Sequence, residues 1–281
     1  MADSKLRILS INAHPHDFTH YAGALGVHVA RGDSVTVVSV TSGSKTHNEK
    51  LADELRKPPE QRDPKIMNQT EDDYAKIKAK ELRDACALFG ITDVRILGYP
   101  EPFRLTLYED SIEIMKNLFL EIRPHILITQ SPYLVDYHTG MPNAMRDDHT
   151  EVASASLEAR NRATVATYGS KVAPHKTAVT YFPGVYFHRD QYDFLVDVSE
   201  YFEKRVQAEA MYVTQGHTPE GSRQRITMAI GPIGFLAGVP YAEAFVREKV
   251  ELLGRLPVPE SALRDSQSSY SEIQKRRVGK G

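Results

Sequence analysis

Short β-rich apolar runs alternate with stretches of helical periodicity through the first half of this chain, and that alternation leaves few folds open. Leu6–Ile11, Val35–Thr41, Val94–Leu97 and His125–Thr129 read as strands. Between them, helices are expected from about Thr19 to Arg31, ended by Gly32, over Asp73–Phe89, closed by Gly90, and over Leu107–Ile122, stopped by Pro124. Strands alternating with helices form βαβ units with right-handed crossovers. The expected class is therefore α/β, with a mostly parallel sheet and helices on both faces.

The remainder is less regular. Ser44 to Thr70 is polar, with a helix-like stretch Glu49–Arg56, and reads as an excursion at the mouth of the sheet. Gln130 to Arg146 is a long loop rich in Pro, Tyr and Gly, and such loops inside a compact domain are often functional. Thr150–Ala163 is helical. Further on, Ala178–Phe182 and Phe194–Val198 look like strands, and Ser199–Tyr212 like a helix capped by Ser199. Gly231-Pro232-Ile233-Gly234 is expected to interrupt a later apolar segment. From about Ser261 the chain is polar, a loose tail or a helix that packs on another subunit. A length of 281 residues suits one domain, divided as a core over 1–165, a smaller C-terminal α+β portion over 166–260 and a polar tail over 261–281.

Composition removes several function classes. A net charge of −2 gives no electrostatic footprint for nucleic acid or an anionic membrane. No apolar run has the length of a membrane span, and the N-terminus lacks the apolar core of a signal peptide, so a cytoplasmic protein is expected. The single cysteine, Cys86, excludes an internal disulfide and a cysteine-based metal site, and reads as a small buried apolar residue. The expected partner is a small-molecule substrate, with homo-oligomerisation left open.

Chemistry concentrates in two short segments, Ala13-His14-Pro15-His16-Asp17 after the first strand and Arg146-Asp147-Asp148-His149 before the Thr150 helix. In doubly wound sheets, ligands bind beyond the carboxyl ends of strands near a switch point. If Leu6–Ile11 and His125–Thr129 are neighbours, His14, Asp17 and His149 converge there. Two imidazoles and one carboxylate suit a catalytic zinc site with an open position for water. Other divalent ions use the same donors. The bland alternatives are a surface histidine at a strand end, and Asp147 or Asp148 as the N-cap of the Thr150 helix.

The first segment resembles the Ala-His-Pro-Asp-Asp signature of the PIG-L/LmbE family of zinc-dependent N-deacetylases. Gly23 falls where that family has a Gly-Gly pair, and Thr41-Ser42-Gly43 is similar to its Thr-x-Gly turn. Asp147-Asp148-His149 resembles the end of a His-Pro-Asp-His segment, Asp197-Val198-Ser199 with Lys204 a later Asp-Ile-[Ser/Thr] stretch, and Glu243-Ala244-Phe245 a Glu-x-Phe. The resemblance implies a Rossmann-like fold, a zinc ion on His14, Asp17 and His149, and hydrolysis of an acetamide, typically on an amino sugar. Three positions depart from it. The family's general base is an Asp where this chain has His16. Its next acidic residue falls at Phe18 or Thr19. The first His of the later segment is here Arg146.

A neutral imidazole at His16 can accept a proton near neutral pH, and Arg146 can stabilise an oxyanion. Asp148 is the expected carboxylate behind a ligand imidazole, with Asp147 competing. His20, Tyr133, Asp136 and His138 are candidate substrate contacts, with Tyr137, Lys45, His47 and Arg104 as similar guesses. His175, His188 and His217 read as surface residues. The leading expectation is a zinc-dependent hydrolase that removes an N-acetyl group from a small polar substrate. The rivals are a catalytically degenerate metal-binding or assembly module, and a metal-dependent lyase or isomerase acting on a sugar derivative.

Overall fold

The computed structural model describes residues 5–45, 48–133 and 147–279. Among them, β1 (Arg7–Asn12), β2 (Ser34–Thr41), β3 (Asp93–Tyr99), β4 (Ile126–Thr129) and β5 (Val179–Pro183) run parallel. β6 (Phe194–Asp197) and β7 (Ala242–Arg247) complete a single sheet, with β7 antiparallel to both β5 and β6. The spatial order is β3-β2-β1-β4-β5-β7-β6. The chain winds outward from β1 to β3 and then returns to the other side of β1 at β4. That reversal opens a crevice at the carboxyl ends of β1 and β4.

Alternation along the strands divides the core in two. Ile8, Val35, Val37, Ile126 and Ile128 face one layer, packed on α1 (Ala22–Ala30), α4 (Glu71–Ala87) and α7 (Phe202–Ala210). Leu9, Ile11, Val38, Val40 and Leu127 face the other, packed on α5 (Asp110–Ile122) and α6 (Asp148–Ala163). Successive side chains of a strand point to opposite faces, so one apolar run serves both layers. The polar excursion after β2 carries α2 (Glu49–Arg56) and α3 (Pro64–Met67). Cys86 is fully buried in the first layer.

The C-terminal part departs from the sequence reading in several places. The expected helix Ser199–Tyr212 is a 3-10 turn, Ser199–Tyr201, followed by α7, and Ser199 Oγ bonds Asp197 Oδ1 at 2.6 Å without capping α7. The Gly-Pro-Ile-Gly segment does not break the chain's helix. α8 (Pro219–Leu236) runs through Pro232. A proline removes one helical N–H bond, and here both flanks are fastened: Ile226 and Ile230 are buried, and Gly234 lets the Tyr241 backbone pass so close that a Cβ would sit 2.6 Å from Tyr241 N. β7 has no strand pattern legible in the sequence. Beyond it lie α9 (Glu260–Ser266) and α10 (Tyr270–Arg277), where a tail was one expectation. Among the described residues, no helix is long and apolar enough to cross a membrane.

Glu243 of β7 shows why these late residues matter to the front of the sheet. Its carboxylate accepts from the Gly23 N at 3.0 Å and the Ala24 N at 2.7 Å, which closes the N-terminus of α1. Arg205 of α7 pairs with the same carboxylate in a buried ion pair. Gly23 is required by this approach, since a Cβ there would lie 2.8 Å from both Glu243 Oε1 and Val198 Cβ.

Candidate metal centre

At the end of β1 the chain turns sharply. Asp17 N donates to the His14 carbonyl at 3.2 Å and starts a 3-10 turn over Asp17–Tyr21. Thr41 of the neighbouring strand holds the Ala13 carbonyl through both its N and its Oγ1. Tyr212 Oη donates to the Pro15 carbonyl at 2.7 Å from the opposite side. The turn thus projects His14 and Asp17 into the crevice. His149 arrives in the first turn of α6, where Asp147 is the N-cap in a reciprocal pair with Thr150.

The structure brings the three expected residues together. One donor atom from each of His14, Asp17 and His149 lies within 4.8 Å of the others. Nδ1 of His14 is 3.5 Å from Asp17 Oδ2, and Nε2 of His149 is 3.5 Å from Asp17 Oδ1. The two rings meet edge to face with centroids 5.0 Å apart.

What lies behind each ring is equally specific. His14 Nε2 donates to Asp148 Oδ2 at 3.2 Å, and His149 Nδ1 to Asp147 Oδ2 at 3.2 Å. Each imidazole therefore turns one nitrogen inward and gives the other to its own carboxylate. Arg104 Nη1 steadies Asp148 Oδ1 at 2.8 Å, and Gln130 Nε2 with the His14 N hold Asp17 Oδ2, both at 2.8 Å. Metal-ligating histidines commonly carry such a carboxylate, which fixes the ring and its tautomer. The donor set and its backing suit a divalent ion.

Electrostatics tell the same story. Burial opposes a charge on His14, but Asp17 and Asp148 outweigh it and raise its pKa to about 9. His149 is likewise opposed by burial and raised to about 10 by Asp17 and Asp147. Asp17 is held well below the usual carboxylate range, because the two imidazoles outweigh its burial. Two buried donors and the partly buried His149 thus place a carboxylate between two imidazoles, an arrangement in which a dication can take the place of the ring protons.

His16 turns elsewhere. Its Nε2 meets Glu209 Oε2 at 3.0 Å, and its ring packs edge-on to Tyr212, His217 and His20. His217, read as a surface residue, is partly buried and belongs to this second group, which with His16 and Glu209 also has metal-like spacing. His175, also read as a surface residue, is buried and bonds the Pro124 carbonyl at 2.8 Å. His20 lines a cavity of about 430 Å³ with Tyr186, Arg205 and Glu243, and burial followed by the charge of His16 lowers its pKa to about 3. Tyr133 stands beside Phe182 and Phe187 and is half exposed. Asp136, Tyr137, His138, Arg146 and His47 lie outside the described residues.

Sequence reasoning missed four residues. Glu101, buried with Oε1 3.8 Å from His14 Nε2, is fixed by Thr41 Oγ1 and the Lys45 N. Gln130 closes the expected fourth strand. Lys78 is 1% exposed on α4, and burial lowers its pKa to about 8 against the nearby carboxylates Glu81, Glu101 and Asp17. Glu209 had a readable signal: Phe202, Val206 and Glu209 share one buried helical stripe, and a carboxylate in such a stripe needs partners.

Known proteins resemble the chain in sequence and in fold. A 1D-myo-inositol 2-acetamido-2-deoxy-alpha-D-glucopyranoside deacetylase of Thermomonospora curvata is 27% identical over 187 residues, covering 60% of this chain and 57% of that protein. A namesake from Saccharopolyspora erythraea is 26% identical over 175 residues, covering 53% and 54%. The chain thus spans little more than half the length of these relatives. In fold, it resembles a 4-carboxy-2-hydroxymuconate hydratase of Pseudomonas putida, with a TM-score of 0.69 at 18% identity over 90% of this chain and 100% of that one. It also resembles an N,N'-diacetylchitobiose deacetylase of Pyrococcus horikoshii, with a TM-score of 0.65 at 17% identity over 87% of this chain and 84% of that one. The family model described as PIG-L, GlcNAc-PI de-N-acetylase, matches residues 9–160, a stretch that contains all three residues of the triad. The chain belongs to the PIG-L family.

Proposed function

We propose that this chain is a zinc-dependent N-deacetylase of a small acetamido sugar. The observation that carries the reading is the His14, Asp17 and His149 triad with a carboxylate behind each imidazole. The printed activity of the curated relatives supports the choice of an acetamide. His14, Asp17 and His149 would hold the ion, and Asp148 and Asp147 would orient the rings. When bound, the ion supplies Lewis acidity toward a carbonyl and makes water a better nucleophile at neutral pH. His16 is the proposed proton acceptor in place of the family's Asp, and Arg146 the proposed donor to the developing oxyanion. Lys78 adds a buried positive charge among the site's carboxylates.

The experiment is acetate release. Purified protein is assayed against a panel of N-acetylated amino sugars, with free amine measured alongside acetate. Equimolar acetate and amine, abolished by His149→Ala, is the expected result.

One observation favours a second reading, a metal-dependent lyase or hydratase. His16 and His217 lie edge-on with centroids 5.1 Å apart beside Glu209, and a pair of imidazoles suits proton movement at carbon. The Pseudomonas neighbour of similar fold is a hydratase, which supports this reading. Mass spectrometry separates the readings: hydration adds one water to an unsaturated acid, and deacetylation splits off acetate.

A further inference from the structure

The second histidine group raises the question of what Glu209 does, because its carboxylate is buried where a charge is costly. Glu209 is 2% exposed and closes the last turn of α7. Its Oε2 accepts from His16 Nε2 at 3.0 Å and from Thr19 Oγ1 at 3.2 Å. Its Oε1 lies 3.2 Å from Arg225 Nε and 3.5 Å from His217 Nδ1. His217 Nδ1 also donates to the Glu209 carbonyl at 2.9 Å, and Arg225 Nη1 meets His217 Nε2 at 3.3 Å. The carboxylate is divided, one oxygen for His16 and Thr19, the other for Arg225 and His217.

We infer that Glu209 is a positioning residue that fixes the tautomer and the orientation of His16. An acceptor-only carboxylate at Nε2 requires the ring proton there. In the neutral ring the lone pair then sits on Nδ1, which no described residue hydrogen-bonds. Ring and carboxylate come from opposite ends of the chain, so the orientation is set by the docking of α7 against the turn after β1, not by the turn alone. Tyr212, edge-on to the ring at 4.7 Å, and its bond to the Pro15 carbonyl limit rotation further. The arrangement parallels Asp148 behind His14 and Asp147 behind His149, so each of these three imidazoles has a carboxylate partner.

The inference rests on the deacetylase reading for its chemical use. There, the attacking water forms a C–O bond to the acetamide carbon and gives a proton to His16 Nδ1. Glu209 opposes the resulting imidazolium charge across the Nε2–H bond. That proton then passes to the leaving nitrogen as the C–N bond breaks, so acetate and amine form and His16 returns to its starting tautomer. A metal ion on His16, Glu209 and His217 is the competing use of the group. The Arg225 guanidinium already lies against the same carboxylate, which disfavours a dication there.

The test uses the full chain loaded with zinc, in wild-type, Glu209→Gln and Glu209→Ala forms. Long-range ¹⁵N spectra of the histidine rings should show His16 protonated on Nε2 in the wild type and a mixture of tautomers in Glu209→Ala. Turnover should fall roughly 10–100-fold in Glu209→Ala, with KM little changed and one zinc per chain retained, the scale on which losing a carboxylate that orients an imidazole is felt. Glu209→Gln keeps an acceptor oxygen and should recover part of the loss. A ring protonated on Nδ1 in the wild type overturns the inference. So does an unchanged kcat in both variants, whatever their thermal midpoints, or loss of a second zinc equivalent on either substitution. If the wild type releases no acetate from any N-acetyl sugar, the deacetylase reading fails, and the tautomer measurement alone still decides the role of Glu209.

Discussion

The carboxylates behind the two triad imidazoles decide how well the donors are preorganised. Asp148 touches His14 and is itself held by Arg104. Asp148→Asn leaves the shape but can present an amide N–H to His14 Nε2, where an acceptor is needed. Zinc affinity should then fall roughly 10–100-fold, read by competition with a chromogenic chelator. An unchanged affinity would remove Asp148 from the site's support. The triad was legible because two of its members lie three residues apart and the third in a second dense segment. The pairing of Asp148 with His14, and of Asp147 with His149, was not, since adjacent side chains at a helix start diverge and only the fold says where each goes. Glu209 was hidden for a different reason: its partner His16 is 193 positions away.

Elements carry the next level of control. α1 is closed by Glu243 from β7, and Gly23 is the position that permits it. Gly23→Ala would drive a methyl into Glu243 and Val198. We expect a loss of about 1–3 kcal/mol, the usual cost of overpacking, measured as a lowered denaturation midpoint in urea, and a midpoint equal to wild type would contradict this contact. Cys86 tests the packing of the same layer. It is fully buried on α4, and burial pushes its thiol pKa up, so the reactive thiolate is suppressed. Native protein should resist alkylation at pH 8 and react once unfolded. Prompt labelling of folded protein would mean that α4 is not packed as described. The strands and longer helices of the first half were readable from periodicity and from the Gly and Pro stops, although the helix expected from Thr19 starts at Ala22, after a 3-10 turn. β7 was not, because Ala242–Arg247 mixes charge with apolar residues and owes its strand to two partners. Nor was the continuity of α8, where buried flanks override a proline.

For the molecule as a whole, the order β3-β2-β1-β4 places the triad's two segments side by side, and the sheet continues into β5, β7 and β6. The mostly parallel architecture followed from the alternation of elements. The antiparallel edge did not, since pairing across the C-terminal part leaves no periodic mark. A site assembled from β1 and α6 should couple ion binding to the fold. Zinc at about 100 times its Kd should stabilise the protein by roughly 2.7 kcal/mol, seen as a thermal midpoint several degrees above that of chelated protein. Equal midpoints would argue against a native site. The most direct measurement joins metal content to turnover on one preparation. Zinc per chain and acetate released from an acetamido sugar are determined for wild type, for chelated and reconstituted wild type, and for His149→Ala. The account expects one zinc per chain, acetate release that vanishes on chelation and returns with zinc, and loss of both in the variant. A chain that binds no zinc at neutral pH, or that releases acetate equally well without it, would contradict it.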